Sequence, residues 1–183
     1  LEKENPVSRL FWGRAPVYSA ASMFYFSKGG RVQQLMHQLK YKGQKEIGIF
    51  LGGRFGKELR KSPFFSTSEF IIPVPMHPKK EKIRGYNQSE IFARGLSETM
   101  KIPVDINTLI KISKTETQTR KSRFSRWENV KEVFKLVDFS HLENKHVLLV
   151  DDVITTGSTL ESCVLNLHKI PGIKVSVASM ACA

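Results

Sequence analysis

A length of 183 residues, with 40% hydrophobic and 25% charged side chains, is typical of a globular chain and excludes a largely disordered one. The length favours one domain, with or without a small appendage, and folding would remove about 70% of the extended chain's surface from water. The two cysteines, Cys163 and Cys182, are too few for a disulfide framework or a four-cysteine zinc site, which fits a reducing cytoplasm. No apolar run approaches the ~18–20 residues that a bilayer-spanning helix needs.

The formal net charge of +12 is large for this length, and most of it lies in two segments. Residues 111–135 contain eight basic and three acidic side chains, and residues 76–94 contain five basic and two acidic ones. These segments are either solvated loops or loops that face polyphosphate or nucleic acid, because clustered cations concentrate anions in a cleft.

Apolar residues at helical spacing predict two helices in the first third of the chain. The first begins after Gly29-Gly30, and the second ends before Pro63. Their inward-facing residues are Val32, Leu35, Met36 and Leu39 in the first helix and Ile47, Leu51, Phe55 and Leu59 in the second.

A short strand, a basic loop and a third helix are predicted next. Phe70–Ile72 is an apolar run that is ended by Pro73 and Pro75, as expected of a strand that leads into a loop. The polar and basic residues Met76–Tyr86 form that loop, and the helix runs from about Gln88 to Met100.

The second half of the chain alternates strands and helices. Leu109–Ile112 is predicted as a strand, and the polar, basic stretch Ser113–Asn129 as a long mobile loop. His146–Val150 is a continuous apolar run, the pattern of a strand that is covered on both faces. A helix over Leu160–Leu167 and a strand over Val175–Ala178 follow. This order predicts an α/β fold with a doubly wound, mostly parallel sheet, whose ligands bind at the carboxyl ends of the strands.

The segment that follows the buried strand carries the chemistry. The strand delivers Asp151 and Asp152 to its carboxyl end, and Thr155–Thr159 (Thr-Thr-Gly-Ser-Thr) places backbone N–H groups at the start of a helix. Such N–H groups and the helix dipole bind phosphate without any lysine, and Gly157 lets the backbone approach the ligand closely. The carboxylates are suited to accept hydrogen bonds from the vicinal hydroxyls of a ribose. The segment therefore predicts a site for ribose 5-phosphate.

Three other kinds of segment share part of this pattern. A strand that ends in two aspartates also begins response-regulator receiver domains, but only 31 residues follow Asp152, too few for the further strands of such a domain. A nucleotide P-loop needs the pattern Gly-x-x-x-x-Gly-Lys-Ser/Thr, which is absent. A purely structural turn stays open as the alternative. Ser158 and Glu161 have the spacing of a capping box, which supports a helix start there.

The same segment resembles the signature with which type I phosphoribosyltransferases bind 5-phosphoribosyl-1-diphosphate (PRPP): an apolar strand, two acidic residues, then Thr-Thr-Gly-x-Thr. More specifically, the chain is similar to the ComF competence family, which includes GntX-like members. The similarity covers about residues 28–183. Its further blocks are Leu39–Gly43, Pro73–His77, Arg84–Gln88, Thr115-x-x-Gln118, Asn129-Val130 and Phe134.

The resemblance implies a type I phosphoribosyltransferase fold with a flexible hood loop. It also implies a Mg²⁺-dependent enzyme that transfers ribose 5-phosphate from PRPP to a nitrogen acceptor, which the sequence does not identify, with release of diphosphate. The implied catalytic residues are Asp151 and Asp152. The implied 5-phosphate-binding residues are Thr155, Thr156, Gly157, Ser158 and Thr159. The implied diphosphate-binding residues are Arg84, Asn87, Gln88, Arg120 and Lys121, with Lys79, Lys80, Lys82 and Arg123 as further candidates. Mg²⁺ would be held mainly by substrate and water, so no metal-ligating residue is predicted.

Two further roles are expected near this site. Residues 113–129 would form the hood that closes over the substrates, with Gln118 and Asn129 fixing its closed shape. His77 is either an acid or base beside the diphosphate loop or a residue that packs the loop.

Residues 1–27 are interpreted as an N-terminal segment that is part of the hood or of an acceptor subdomain, and residues 28–183 as the phosphoribosyltransferase-like domain. Many family members begin with a four-cysteine, zinc-ribbon-like segment. This chain begins with Leu and has no such segment, so either the sequence omits it or this member lacks it, and no zinc is predicted.

A second hypothesis follows from the family resemblance: a non-catalytic module of the DNA-uptake machinery that binds PRPP or single-stranded DNA. The basic loops would then contact DNA phosphates or other competence proteins. A cytoplasmic location and a homodimer, which is common in this fold, are further expectations.

Overall fold

A computed structural model of the protein describes residues 2–25, 30–112 and 133–183. The strands in these ranges are β1 (Ser19–Tyr25), β2 (Phe70–Pro73), β3 (Leu109–Lys111), β4 (Phe134–Leu136), β5 (His146–Ile154) and β6 (Lys174–Cys182). Four of them form a parallel sheet in the order β1-β6-β5-β2, and β3 pairs with β4 in a separate antiparallel ladder. The predicted mostly parallel α/β sheet is therefore confirmed.

Helices cover both faces of this sheet, as a doubly wound fold requires. Those in the described ranges are α1 (Pro6–Arg9), α2 (Arg31–Tyr41), α3 (Lys45–Lys61), α4 (Pro78–Arg84), α5 (Gln88–Met100) and α6 (Ser158–Leu167). Alternate side chains of a strand point to opposite faces. Accordingly, Val147 and Leu149 pack with α1 and α6 in one core, whereas Leu148 and Val150 pack with α2, α3 and α5 in the other.

The pairing of α3 with α5 depends on glycines at the contact. A Cβ atom at Gly52 would lie 2.9 Å from the backbone nitrogen of Leu96, which is closer than real Cβ atoms come to backbone. The two helices thus approach backbone to backbone, and this packing fixes the start of α5 against the end of β5.

Most predicted elements are confirmed with shifted ends. The two early helices, the strand at Phe70 and the helix from Gln88 to Met100 form as expected. The last two strands are longer than predicted: β5 continues to Ile154, and β6 continues to Cys182. As a consequence, Asp151 and Asp152 belong to the end of β5 itself.

The prediction that Met76–Tyr86 is entirely loop is wrong, because Pro78–Arg84 forms helix α4. Pro78 supplies the fixed backbone angle of a first helical residue. The His77 ring accepts a hydrogen bond from the Lys79 amide at 3.2 Å and caps the helix, and Gly85 ends it with a φ of 80°. His77 therefore has a structural role here, in line with the second of the two roles weighed for it.

Ser19–Tyr25 forms a strand that the sequence did not predict. It pairs with β6 at the edge of the central sheet, and the Asn5 side chain ties the first helix to it by donating to the Ala20 carbonyl at 2.8 Å. The proposed boundary near residue 27 stays a prediction, but the segment before it is part of the sheet. The predicted hood over residues 113–129 lies outside the described ranges.

None of the helices in the described ranges is long and apolar enough to cross a membrane.

Candidate functional site

The turn between β5 and α6 has the geometry of an anion-binding turn. Gly157 adopts a left-handed conformation, with φ 76° and ψ −4°, and α6 begins at the next residue. The first N–H groups of any α-helix have no acceptor inside the helix, and they carry the positive end of its dipole. A non-glycine residue would be strained at Gly157, so glycine is needed for the chain to turn here.

The predicted capping box of Ser158 and Glu161 does not form. Gly157 is the N-cap residue, and no side chain caps the helix. Instead, the Ser158 hydroxyl lies 3.0 Å from the Thr156 hydroxyl at the mouth of the turn. The Ser158 amide also donates to the Thr156 hydroxyl at 3.4 Å, so the turn is held by its own residues.

Asp151 and the turn line the same small concavity. Its other lining residues are Val153, Ile154, Thr155, Thr156, Gly157, Ser158, Thr159 and Leu160. One carboxylate oxygen of Asp151 accepts hydrogen bonds from the Ser89 hydroxyl and from the Asp152 amide, both at 2.9 Å. The start of α5 therefore fixes this carboxylate beside the phosphate-type turn, as the sequence predicted for one of the two aspartates.

Burial, and next the neighbouring charge of Asp152, raise the pKa of Asp151 from 3.8 to about 7. Hydrogen bonds from Ser89 and from the Asp152 amide, together with the Lys40 charge, act in the opposite direction. A carboxyl group in this state holds a proton readily near neutral pH. A ligand that brings positive charge or hydroxyl donors next to Asp151 would stabilise its ionised form and lower its pKa.

Asp152 opens to a different concavity. Its carboxylate forms an ion pair with Lys40 of α2 at 2.8 Å and accepts a hydrogen bond from the Val153 amide at 2.7 Å. The concavity beside it is lined by Gln33, Met36, His37, Lys40, Asp152, Val153, Thr155 and Ala183. The two aspartates thus flank the end of β5, with the ion pair on one side and the phosphate-type turn on the other.

The predicted diphosphate residues on α4 and α5 lie next to this site, but their polar ends are engaged within the protein. The Asn87 side chain donates to the Val74 carbonyl at 3.0 Å and accepts from the Ser89 amide at 3.1 Å, so it caps α5. The Gln88 side chain is buried and accepts a hydrogen bond from Arg84 at 2.9 Å. These contacts fix the loop after β2, and a direct role in binding diphosphate stays a prediction.

Lys79, Lys80 and Lys82, the further candidates, are exposed on α4. Arg120, Lys121, Arg123, Gln118 and Asn129 lie outside the described residues.

The structure adds residues that the sequence reasoning missed. Arg14 donates hydrogen bonds to the Thr156 carbonyl at 2.8 Å and to the Ser158 hydroxyl at 3.4 Å, and it pairs with Glu161. Lys40 and Ser89 hold the two aspartates. The only sequence signal for any of these was Lys40, which lies in the family block Leu39–Gly43. Thr156, which Arg14 contacts, and Asp151, which Ser89 contacts, each lie more than 60 residues away along the chain.

A parallel α/β sheet with an acidic strand end and a glycine turn into a helix is the arrangement expected of a phosphoribosyltransferase-like protein. Residues 87–180, just over half of the chain, match the family described as the phosphoribosyl transferase domain, so the chain belongs to this family. The resemblance inferred from the sequence is thereby confirmed.

The curated relatives narrow the family further. Competence protein F of Haemophilus influenzae is 35% identical over 127 residues, which are 68% of this chain and 55% of the relative. DNA utilization protein YhgH of Salmonella typhimurium is 32% identical over 129 residues, which are 69% of this chain and 56% of the relative. The chain spans about half the length of these relatives. Their names confirm the predicted likeness to the ComF competence family.

Solved structures confirm the fold. Glutamine phosphoribosylpyrophosphate (PRPP) amidotransferase from B. subtilis has a TM-score of 0.50 and 20% sequence identity, and the match covers 77% of this chain and 30% of that one. The type I phosphoribosyltransferase fold predicted from the sequence is therefore the fold of this chain.

Proposed function

We propose that this chain binds PRPP as its magnesium complex and transfers ribose 5-phosphate to a nitrogen nucleophile, with release of diphosphate. The observation that carries the proposal is that Asp151 and the turn Thr155–Thr159 line one concavity at the start of α6. A phosphate-binding turn and a hydroxyl-binding carboxylate in one concavity match the two ends of a ribose 5-phosphate.

The 5-phosphate would bind to the turn. First-turn N–H groups of α6 and the hydroxyls of Thr155, Thr156 and Ser158 supply donors, and the helix dipole favours a negative charge at this end. Gly157 gives the turn its left-handed backbone, and a Cβ atom at this position would lie 3.4 Å from the Phe11 ring. Such a site binds a phosphate through neutral donors, and so it needs no lysine.

The ribose hydroxyls would bind beside the end of β5, where Asp151 shares the concavity of the turn. Asp151 is fixed by Ser89, whereas Asp152 opens to the neighbouring concavity and is paired with Lys40 at 2.8 Å, so Asp152 would act on the ribose through its charge. As the bond between C1 and the diphosphate oxygen breaks, its electron pair leaves with diphosphate and the ring becomes positive. Carboxylates fixed beside the ring stabilise that charge, while the nitrogen nucleophile forms the new bond to C1 and loses its proton to solvent.

The side chains present fit a magnesium ion that is held mainly by its substrate. Within the described residues, no cluster of three or more acidic, histidine or cysteine side chains could hold a metal ion alone. Mg²⁺ usually keeps several waters and binds substrate phosphates, so diphosphate oxygens and water would hold it here, with the negative charge of the strand-end aspartates nearby. When bound, the ion would neutralise the charge that develops on the leaving diphosphate.

The region near α4 is proposed to hold the diphosphate. Helix α4, which carries the exposed Lys79, Lys80 and Lys82 and ends at Arg84, follows β2 after a four-residue connection, and β2 neighbours β5 in the sheet. The B. subtilis structure, whose description names PRPP, has the same fold and supports PRPP as the substrate class.

Isothermal titration calorimetry with PRPP and Mg²⁺ tests this proposal. The wild-type chain should release heat and saturate at one PRPP per chain. The double variant Asp151→Asn/Asp152→Asn should not bind, whereas Glu143→Gln, which removes an exposed acidic charge elsewhere, should bind like the wild type. Absence of wild-type heat, or equal binding by the double variant, would rule the proposal out.

A second candidate function is binding of single-stranded DNA, and the surface of α4 favours it. Three of its lysines are exposed, and Ile83 between them is 85% exposed, so the helix presents cations beside an apolar side chain. In single-strand binding, cations follow the backbone phosphates, which is the contact that these lysines would make. The names of the relatives, which refer to competence and to DNA utilization, are consistent with this candidate.

Fluorescence anisotropy with a labelled oligonucleotide tests this second candidate function. Replacing Lys79, Lys80 and Lys82 by Ala should weaken DNA binding and flatten its dependence on salt, by a slope of about 0.7 for each lost phosphate contact. The matched control replaces the exposed Lys57, Lys61 and Lys135 and should leave binding unchanged. Equal losses in both triple variants would show that only net charge matters and would remove α4 as the binding surface.

A further inference from the structure

We infer that Arg14 is a positioning residue for the proposed 5-phosphate site, because it neutralises Glu161 and holds the backbone of the turn in its phosphate-binding shape. This inference rests on the proposed function, since it concerns the affinity of that same site. It gives the N-terminal segment a role in binding the sugar phosphate.

The contacts of Arg14 reach both sides of the turn. Its Nη1 donates to the carbonyls of Leu10 and Thr156, at 3.0 and 2.8 Å. Its Nη2 donates to the Ser158 hydroxyl at 3.4 Å and to Glu161 Oε2 at 2.5 Å. The guanidinium therefore joins the residue before Gly157, the residue after it and the first turn of α6.

The negative charge of Glu161 is the reason that the turn needs Arg14. It lies in the first turn of α6, where a carboxylate interacts favourably with the helix dipole. A phosphate bound to the same helix start would be repelled by that carboxylate, because both negative charges occupy one end of a short helix. Arg14 cancels the charge of Glu161 and leaves the first-turn N–H groups to attract the phosphate.

Arg14 acts through the turn rather than on the ligand. Its two terminal nitrogens carry four N–H donors, and four protein acceptors engage them. The segment that carries Arg14 is itself held in place. Phe11 lies beside the turn, since a Cβ atom at Gly157 would be 3.4 Å from its ring, and Asn5 ties helix α1 to β1.

A double-mutant cycle tests the inference. Arg14→Met keeps the aliphatic packing but exposes the charge of Glu161, and it should raise the Kd for PRPP about fivefold, which corresponds to about 1 kcal/mol, the upper end for a partly exposed charge pair. Adding Glu161→Gln should restore the Kd to within about twofold of the wild type, because the repulsion is then absent. Ribose 5-phosphate should follow the same pattern, whereas inorganic diphosphate, which lacks the 5-phosphate, should not.

Two controls separate this role from a purely structural one. Arg9→Met removes a cation from the same segment, where Arg9 stacks on Trp12, and should leave the Kd unchanged. The increase in the Kd for PRPP caused by Arg14→Met should also become smaller as the salt concentration rises, because salt screens the repulsion between Glu161 and the phosphate. If Arg14→Met does not fold, Arg14→Gln, which also removes the positive charge, replaces it with and without Glu161→Gln, and the same rescue is expected.

The experiments tell a failure of the inference about Arg14 apart from a failure of the proposed function. If the wild-type chain fails to bind PRPP and ribose 5-phosphate, the proposed function is wrong, and the inference is wrong with it. If the wild type binds and Arg14→Met binds equally well, or if Glu161→Gln gives no rescue, the inference is overturned while the proposed function stands.

Discussion

His146 makes the stability of the fold depend on pH. It begins β5, the strand that carries both aspartates, and its ring is only 4% exposed. The two ring nitrogens lie 2.8 Å from the hydroxyls of Thr67 and Ser176, and the ring packs edge-on against Tyr18. A neutral ring satisfies both contacts, because one nitrogen donates and the other accepts.

Burial, followed by the positive charge of Lys174, lowers the pKa of His146 from 6.5 to about 4. The folded protein therefore resists protonation over a pH range in which the unfolded chain takes up a proton. The stability that depends on the neutral ring is fully present above pH 6.5 and is lost as the pH falls towards about 4. At about 1.36 kcal/mol for each pKa unit, the loss totals about 3 kcal/mol.

Urea denaturation at several pH values measures this loss. Near pH 5 the free energy of unfolding should fall by about 1.2 kcal/mol for each unit of acidification, because the unfolded state binds nearly one more proton there. The matched variant His146→Gln keeps a donor and an acceptor without titrating, so the difference between the two proteins removes the contributions of other groups. Identical pH dependence in the two proteins would refute the account of His146.

Three further predictions concern the candidate site. Asp151→Asn should become more stable than the wild type from about pH 4 upward, because the unfolded chain ionises at a pH where the raised pKa keeps the folded carboxyl group protonated; the difference between the two proteins in thermal melts should be larger at pH 8 than at pH 5. Gly157→Ala should cost about 1–2 kcal/mol of folding free energy in chemical denaturation, since φ is 76° there, and should weaken PRPP binding in calorimetry. Lys40→Met removes a positive charge that lowers the pKa of Asp151, so carboxyl-detected NMR should find that pKa higher still, and an unchanged pKa would contradict the Asp152–Lys40 geometry.

The sequence predicted the fold wherever local patterns agree with tertiary burial. The apolar run before Asp151 and the helix after Gly157 were predicted because the strand is buried on both faces and the turn has distinctive chemistry. Ser19–Tyr25 was missed because its serines and alanines lack an apolar alternation, and it is a strand only because β6 lies beside it. Helix α4 was missed because it buries no residue, so it has no apolar spacing to detect.

The site was predicted only in part for a related reason. Asp151 and the turn are contiguous in the chain, so one motif placed both. Lys40, Ser89 and Arg14 reach the site from distant segments, and a single sequence has no local signal for such contacts. The prediction of a capping box is wrong because the N-cap residue of α6 is the left-handed Gly157, one residue before Ser158.

Backbone amide NMR on titration with PRPP and Mg²⁺ tests the central claim most directly. If the start of α6 binds the 5-phosphate, the amide signals of residues 157–160 should move most and saturate with the calorimetric Kd. Ribose 5-phosphate should reproduce these shifts, and ribose should not. Saturable PRPP binding that leaves these four amides unmoved, or an absence of binding, would contradict the claim.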